Sequence, residues 1–289
     1  MRVFVTGATG FIGSAVVTEL LANGHQVLGL TRSEEGAAAL VAAGAEPIHG
    51  SLQDLDSLRR GASATDGVIH TAFIHDFSKF QENCEIDRQA IEALGDALAG
   101  SNRTLVVSTG LPVPTEDDVP PPSPFPRVSE ETALAQVERG VRAMAIRLPQ
   151  VHDRDKQGLV SYLIELARGK GVSAYVGTGL NRWPAAHRLD VAPLYRLALE
   201  KGSAGARYHA VAEEGVSLRE IAEAIGRGLK IPVVAKSPED APGHFGWMSF
   251  FAGADLKASS ALTQQRLGWH PTDGPGMIAD LDRATAFGR

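Results

Sequence analysis

Eight residues near the start of the chain, Thr6-Gly7-Ala8-Thr9-Gly10-Phe11-Ile12-Gly13, have the types and spacing to do chemistry. Glycines at every third position let a backbone turn tightly and approach a bulky anion, because no Cβ stands in the way. A helix that begins at such a turn offers unpaired N–H groups and a partial positive charge to the anion. The spacing here is G-x-x-G-x-x-G, whereas the dinucleotide fingerprint is G-x-G-x-x-G. Its place, five residues in and directly after an apolar run, supports the same reading, a pyrophosphate site. The next apolar run ends in Leu28-Gly29-Leu30-Thr31-Arg32-Ser33. An acid at such a position holds an adenosine ribose, and an arginine accommodates a 2′-phosphate. Arg32 supplies a fixed charge and a fork of donors, Thr31 and Ser33 add hydroxyls, and Glu34 and Glu35 come only afterwards. The expected cofactor is therefore NADP(H), with NAD(H) less favoured.

The elements that must position these groups alternate regularly. Arg2–Val5 reads as a strand, Ile12–Asn23 as a helix with Ile12, Val16, Leu20 and Leu21 on one stripe, and Gln26–Leu30 as a strand. Helices follow at about 34–43, 54–61, 82–100 and 128–139. Strands interleave near 46–49, 67–71, 104–108 and 142–147. This alternation predicts an α/β fold: a Rossmann-like, doubly wound parallel sheet covered on both faces. Seven of the 16 prolines fall between Pro112 and Pro126, a surface loop long enough to be functional or mobile. Beyond about residue 150 the pattern loosens. Helices are expected at 159–168 and 191–200 and strands at 173–176 and 206–211. Ser217-Leu218-Arg219-Glu220 is a capping box opening a helix whose apolar face carries Leu218, Ile221, Ala222, Ile225 and Leu229. The expected division is a nucleotide-binding portion over 1–150 and mainly a smaller C-terminal substrate lobe over 151–289, with residues 206–211 returning to the sheet.

Composition narrows the partners. The 289 residues carry 28 basic and 34 acidic side chains, a net charge of −6. A mildly acidic chain without a long basic run is a poor binder of nucleic acid or anionic membrane. No stretch of ~20 apolar residues is present, so no membrane span is expected. The single cysteine, Cys84, can form neither an internal disulfide nor a Cys-rich zinc site, and a cytoplasmic location is expected. No His, Asp and Glu group has metal-ligand spacing, so no metal is expected. The partner expected is a small-molecule substrate, with the chain a monomer or homodimer.

These motifs resemble the extended and atypical branch of the short-chain dehydrogenase/reductase superfamily, the branch that includes NAD-dependent epimerases and dehydratases. The glycine motif is similar to its N-terminal fingerprint. Gly50-Ser51-Leu52 with Asp54 resembles its adenine-contacting G-D-L, with serine in place of aspartate. Val68-Ile69-His70-Thr71-Ala72 resembles the fourth-strand end along the cofactor. Val106-Val107-Ser108-Thr109 resembles the fifth strand with its active-site hydroxyl. Arg147-Leu148-Pro149-Gln150-Val151 resembles the sixth-strand exit near the nicotinamide. His187-Arg188-Leu189-Asp190-Val191-Ala192 and Leu267-Gly268-Trp269-His270-Pro271 look like C-terminal signatures. The resemblance implies cofactor contacts from Gly7, Thr9, Gly10, Phe11, Ile12, Gly13, Ser51, Leu52, Thr71, Ala72, Leu148 and Val151, beside Thr31, Arg32 and Ser33.

One departure bears on the reaction. The superfamily moves its proton through a tyrosine whose pKa is lowered by a lysine four residues on. The four tyrosines here, at 162, 175, 195 and 208, are followed at that spacing by Leu166, Gly179, Leu199 and Ala212. The remaining candidates for catalysis are Ser108 and Thr109, which could hold a substrate oxygen, and His75 and His152, which could move a proton. Asn181-Arg182-Trp183-Pro184 either lines the substrate lobe or packs it. The leading expectation is an NADP(H)-dependent oxidoreductase acting on a small carbonyl, imine or activated alkene. The alternatives are a non-catalytic NADP(H) sensor and a nucleotide-sugar epimerase or dehydratase.

Overall fold

The structure is a computed structural model and describes residues 1–121, 125–272 and 274–288. Its frame is a seven-stranded sheet in which every neighbouring pair is parallel. The strands are β1 (Arg2–Thr6), β2 (Gln26–Thr31), β3 (Glu46–His49), β4 (Gly67–His70), β5 (Thr104–Gly110), β6 (Arg142–Leu148) and, after three strands given below, β10 (Arg207–His209). Their spatial order is β3-β2-β1-β4-β5-β6-β10, the doubly wound order with a seventh strand added at the β6 edge. Strands inside such a sheet are covered on both faces, so β1, β4 and β5 are near-continuous apolar runs. One face packs around Val5, Val16, Leu20, Ile69 and Val106, the other around Phe4, Leu58, Val68, Leu94 and Val107.

The covering helices are α1 (Phe11–Ala22), α2 (Glu34–Ala43), α3 (Leu55–Ser63), α4 (Phe80–Leu98) and α5 (Ser129–Ala135). The stretch expected as one helix over 128–139 divides, a 3-10 turn over Gln136–Arg139 ending at Gly140, whose φ is +76°. The proline-rich segment is anchored: its Pro114 carbonyl accepts from the Ser259 N–H at 2.9 Å. The fully buried Arg147 donates to the carbonyls of Thr115, Glu116 and Asp118 at 3.3, 3.2 and 3.0 Å. Glu116 is itself buried and accepts from Thr263, and Asp117 pairs with Arg266 at 2.6 Å. Pro122 and Pro124 of the expected loop lie outside the described residues.

The later residues add β7 (Gln150–His152), α6 (Val160–Lys170), β8 (Ser173–Val176), β9 (Arg182–His187), α7 (Arg188–Lys201), β11 (Glu213–Ser217), α8 (Leu218–Leu229) and β12 (Val233–Lys236). Short helices α9 (Ala241–Phe245), α10 (Ser249–Gly253), α11 (Ala261–Leu267) and α12 (Met277–Leu281) complete the chain. β11, β9 and β7 form a three-stranded sheet, and β12 pairs with β8. These pack with α6 and α8 around Trp183, Ile221 and Ile225 as a second core. Trp183 is wholly buried there and donates to the Phe251 carbonyl at 3.0 Å, a packing role. α8 opens with the reciprocal Ser217–Glu220 box. α7 covers the main sheet beside α1, and begins three residues before the expected 191 because His187 Nδ1 caps the Leu189 N–H. The two C-terminal signatures meet where Trp269 Nε1 donates to the Asp190 carbonyl at 2.9 Å.

Candidate active site

The glycine turn closes on itself as its composition demands. Gly7 has φ +68°, and the Gly10 N–H donates to the Gly7 carbonyl at 2.8 Å. A Cβ on Gly13 would lie 2.0 Å from that carbonyl oxygen, and one on Gly7 would lie 2.8 Å from the Ala72 nitrogen. Thr71 fastens β4 against the turn, its hydroxyl donating to the Thr6 carbonyl at 2.8 Å. Gly10 precedes α1 with no side-chain cap, so the first N–H groups of that helix face a site that only an external anion would fill. Phe11 and Ile12 are half-buried at its lip and Thr9 is exposed. The cations of Lys156 and Arg188 lie 5.7 and 5.2 Å from the Phe11 ring.

At the end of β2, Arg32 is exposed and has no hydrogen-bond or ion-pair partner among the described residues. Ser33 caps α2 through the Gly36 N–H at 3.1 Å, and the buried Thr31 hydroxyl donates to the Ser33 carbonyl at 3.3 Å. Ser51 caps its own turn by accepting from the Asp54 N–H, and Leu52 is buried in the core. Leu148 and Val151 pack on the α1 side of the sheet. A glycine turn with no room for a Cβ, an uncapped helix start and an arginine unpaired among the described residues fit a dinucleotide.

The C-terminal end of β5 holds a layered polar network. Ser108 Oγ donates to the His70 carbonyl at 2.8 Å and lies 2.6 Å from the Tyr195 hydroxyl. Tyr195 is wholly buried on α7, and burial pushes its phenol above the ordinary range. On the opposite face, His70 bridges Thr6 Oγ1 at 2.8 Å and Asp87 at 3.1 Å. Ser129 donates to Asp87 at 2.5 Å and accepts from Arg127 Nε at 2.9 Å. Burial alone would raise Asp87, but the His70 bond, the Arg127 charge and the Ser129 bond hold it below the usual carboxylate range. Arg127 also donates through Nη2 to the Ser108 carbonyl at 3.2 Å, and its guanidinium lies 4.1 Å from the Phe73 ring centroid. Its Nη1 makes no hydrogen bond among the described residues. Thr109, half-buried one residue beyond Ser108, has no hydrogen-bond partner among the described residues.

His75 stands on the rim after β4, its ring 5.3 Å from that of Phe73. Crowding by its neighbours, then the Arg127 and Lys156 charges, holds its pKa below 6.5. His75 is thus a neutral group near pH 7 rather than a standing acid. His152 corrects an expectation, because it does not reach the cleft. It is wholly buried, with Nδ1 2.6 Å from Asp280 and Nε2 without a hydrogen bond, 3.8 Å from Glu213, and burial pushes it down to about 4. A side chain without solvent access cannot pass a proton to a substrate. Sequence reasoning missed Arg127 and Tyr195. Arg127 closes the proline-rich segment, where its charge was the only available signal. Tyr195 lies 87 residues from Ser108 with no local signal. Among the described residues no group of three or more His, Cys, Asp or Glu is arranged to hold a metal, and no helix is long and apolar enough to cross a membrane.

Comparison with known proteins agrees with this frame. The model of the NAD dependent epimerase/dehydratase family matches residues 3–212. An uncharacterised protein of Schizosaccharomyces pombe, C2A9.02, is 53% identical, over 97% of this chain and 98% of its own. A decarboxylating sterol-4-alpha-carboxylate 3-dehydrogenase of Dictyostelium discoideum is 27% identical, over 76% of this chain and 74% of its own. The structure of the dTDP-glucose 4,6-dehydratase DesIV from Streptomyces venezuelae, determined with NAD bound, superposes with a TM-score of 0.77. It covers 99% of this chain and 96% of its own at 21% identity, a likeness of fold.

Proposed function

The chain belongs to the NAD dependent epimerase/dehydratase family, and from that premise we propose that it is an NADP(H)-dependent oxidoreductase passing hydride to a small carbonyl, imine or activated alkene. Gly7, Thr9, Gly10, Phe11, Ile12 and Gly13 would hold the pyrophosphate, and Thr31, Arg32 and Ser33 the phosphorylated ribose. Ser51 and Leu52 would contact adenine, and Thr71, Ala72, Leu148 and Val151 the nicotinamide end. When bound, the nicotinamide supplies the hydride.

The observation that carries the reaction type is the Arg127 cation at the end of β5. Arg127 has an open Nη1 beside the unpartnered Thr109 hydroxyl's strand, on the edge where parallel sheets bind ligands. A guanidinium has no acceptor and keeps its proton, so it can stabilise a developing oxyanion but cannot deprotonate a substrate. Thr109 would position the acceptor oxygen, Ser108, whose proton goes to the His70 carbonyl, would fix the strand end beneath it, and neutral His75 would relay the proton. Asp87 and Glu130, the carboxylates of this region, are buried and engaged by His70 and Ser129 and by Arg147 and Arg207. Epimerisation or dehydration would have to draw on His75 as the base, because the two carboxylates are engaged, which makes a nucleotide-sugar epimerase or dehydratase the less favoured reading. A second reading, a nucleotide sensor without turnover, draws on the missing Tyr-x-x-x-Lys pair.

The test is cofactor titration followed by NADPH-oxidation assays with an aldehyde, ketone, imine and enone panel. NADPH is expected to bind more tightly than NADH. Arg32→Ala is expected to weaken NADPH roughly tenfold, the lower end for a hydrogen bond to a charged group, while NADH changes less than twofold. Equal affinities for the two nucleotides would sink the preference. Tight binding without reduction of any panel member would favour the sensor.

A further inference from the structure

The rim of the cleft carries a chain of aromatic rings drawn from four separate segments. Phe73, under the Arg127 guanidinium, is followed by Phe80 at 6.2 Å, and Phe80 by Phe77 at 5.8 Å. Phe77 stacks on Trp247 with centroids 5.0 Å apart and planes 24° apart. Tyr162 of α6 meets both edge-on, at 5.8 and 5.4 Å. Trp247 continues to Phe251 at 6.4 Å, which stacks with Phe125 at 6.0 Å. Thus the loop after β4, the segment after β5, α6 and the α9–α10 region close one path between the sheet body and the second core. Phe250 ends the path, 5.5 Å from Phe125 and 5.4 Å from Phe251, and most of these rings remain exposed, Trp247 by 51% and Phe250 by 63%. Folding alone gains nothing by leaving them in water, and a contiguous exposed apolar patch of this kind marks a binding surface.

Two observations identify the occupant. The path begins at Arg127 and Phe73, beside Ser108, so it is continuous with the candidate active site rather than a separate face. Its lining is aromatic rather than ionic: the cations at the path, Arg127 and the exposed Lys79, lie at its sheet-side end, and in the neighbouring second core Arg182, Arg219 and Lys257 are tied to Asp255, Glu223 and Glu214 at 2.7, 2.9 and 3.5 Å. A nucleoside diphosphate would want those cations unpaired, whereas a flat apolar group wants the ring faces.

We infer that this aromatic path holds the planar, apolar portion of the substrate, making the substrate an aryl or similarly flat conjugated oxo compound rather than a nucleotide sugar; the inference rests on the oxidoreductase reading above. Trp247 gives the probe, because the other tryptophans, Trp183 and Trp269, are buried. The NADP-loaded protein is titrated with trans-4-phenylbut-3-en-2-one while tryptophan emission is followed, with Trp247→Phe as the blank. Saturable quenching is expected, uncompeted by UDP-glucose. Phe77→Ala and, at the far end, Phe250→Ala are each expected to weaken the aryl probe about three- to tenfold, the equivalent of one aromatic contact. In turnover, Phe77→Ala should raise KM for the aryl enone at least threefold more than for but-3-en-2-one. Absent quenching, competition by UDP-glucose, or burial of Trp247 in a dimer by sedimentation and acrylamide quenching would each overturn the inference. Probe binding without turnover would remove the oxidoreductase and leave the aromatic site. Turnover without aryl preference would do the reverse.

Discussion

Two glycines in helices, Gly13 in α1 and Gly169 in α6, offer the same alanine substitution with opposite expected results. A Cβ on Gly169 meets nothing within 4 Å, so Gly169→Ala gains the helical preference of alanine, about 0.5–1 kcal/mol. A Cβ on Gly13 would stand 2.0 Å from the Gly7 carbonyl oxygen and 2.8 Å from Thr71 Oγ1. Restoring ordinary contact at 3.4 Å requires a shift of about 1.4 Å in backbone that cannot rotate away. Overpacking of that kind costs about 1–3 kcal/mol. Weakening the Gly10-to-Gly7 hydrogen bond at 2.8 Å adds about 1 kcal/mol. Against the alanine gain, Gly13→Ala should lose about 1–3 kcal/mol, leaving the two variants about 2–4 kcal/mol apart. A shift of that size also carries the turn's N–H groups out of hydrogen-bond range of a phosphate. The assay is urea unfolding of both variants, with calorimetric titration of NADPH alongside. Gly13→Ala should bind NADPH at least about tenfold more weakly, and Gly169→Ala should match the parent. A Gly13→Ala protein of parental stability that binds NADPH within twofold would refute the role given to the turn.

Arg147 holds Glu130 by two bonds of 2.7 Å and three carbonyls of the proline-rich segment. Arg147→Met should therefore cost about 3–5 kcal/mol in urea unfolding, with proteolysis at residues 111–121 preceding global cleavage, and a loss under 1 kcal/mol would contradict it. The pH dependence of stability follows from His152, pushed by burial from 6.5 to about 4. Its unfolded form takes the proton first, so its contribution is intact above about pH 6.5 and is lost as pH falls toward 4. In full it is on the order of 3 kcal/mol. Asp280, raised by burial, titrates in the opposite sense and offsets part of this. His152→Asn should flatten the unfolding midpoint between pH 6.5 and 4.5, and an unchanged slope would show that another group is responsible.

The sheet and its glycine turn were readable from the chain alone, because both are written in local signals. Alternating apolar runs mark β1 to β6 within a residue or two, and glycine spacing marks the one turn where a Cβ has no room. The place of Arg32 just past β2 was legible for the same reason, since its neighbours in sequence are its neighbours in space. Ser108 was legible as a strand end but not as a partner of Tyr195, which reaches it from α7 only when α7 packs beside α1. His152 shows the converse. Its position after β6 suggested chemistry, yet pairing of β7 with β9 and docking of Asp280 seal it inside. The absence of the tyrosine–lysine pair could be counted in the sequence. What stands in its place could not, because Arg127 acquires its role through Ser129, Asp87 and Phe73, which come from three other elements. The aromatic rim is the extreme case, since rings from residues 73 to 251 become one surface only after the two cores close on each other. Periodicity and backbone conformation are properties of neighbouring residues, whereas a proton relay or a substrate surface is a property of contacts that tertiary packing alone creates.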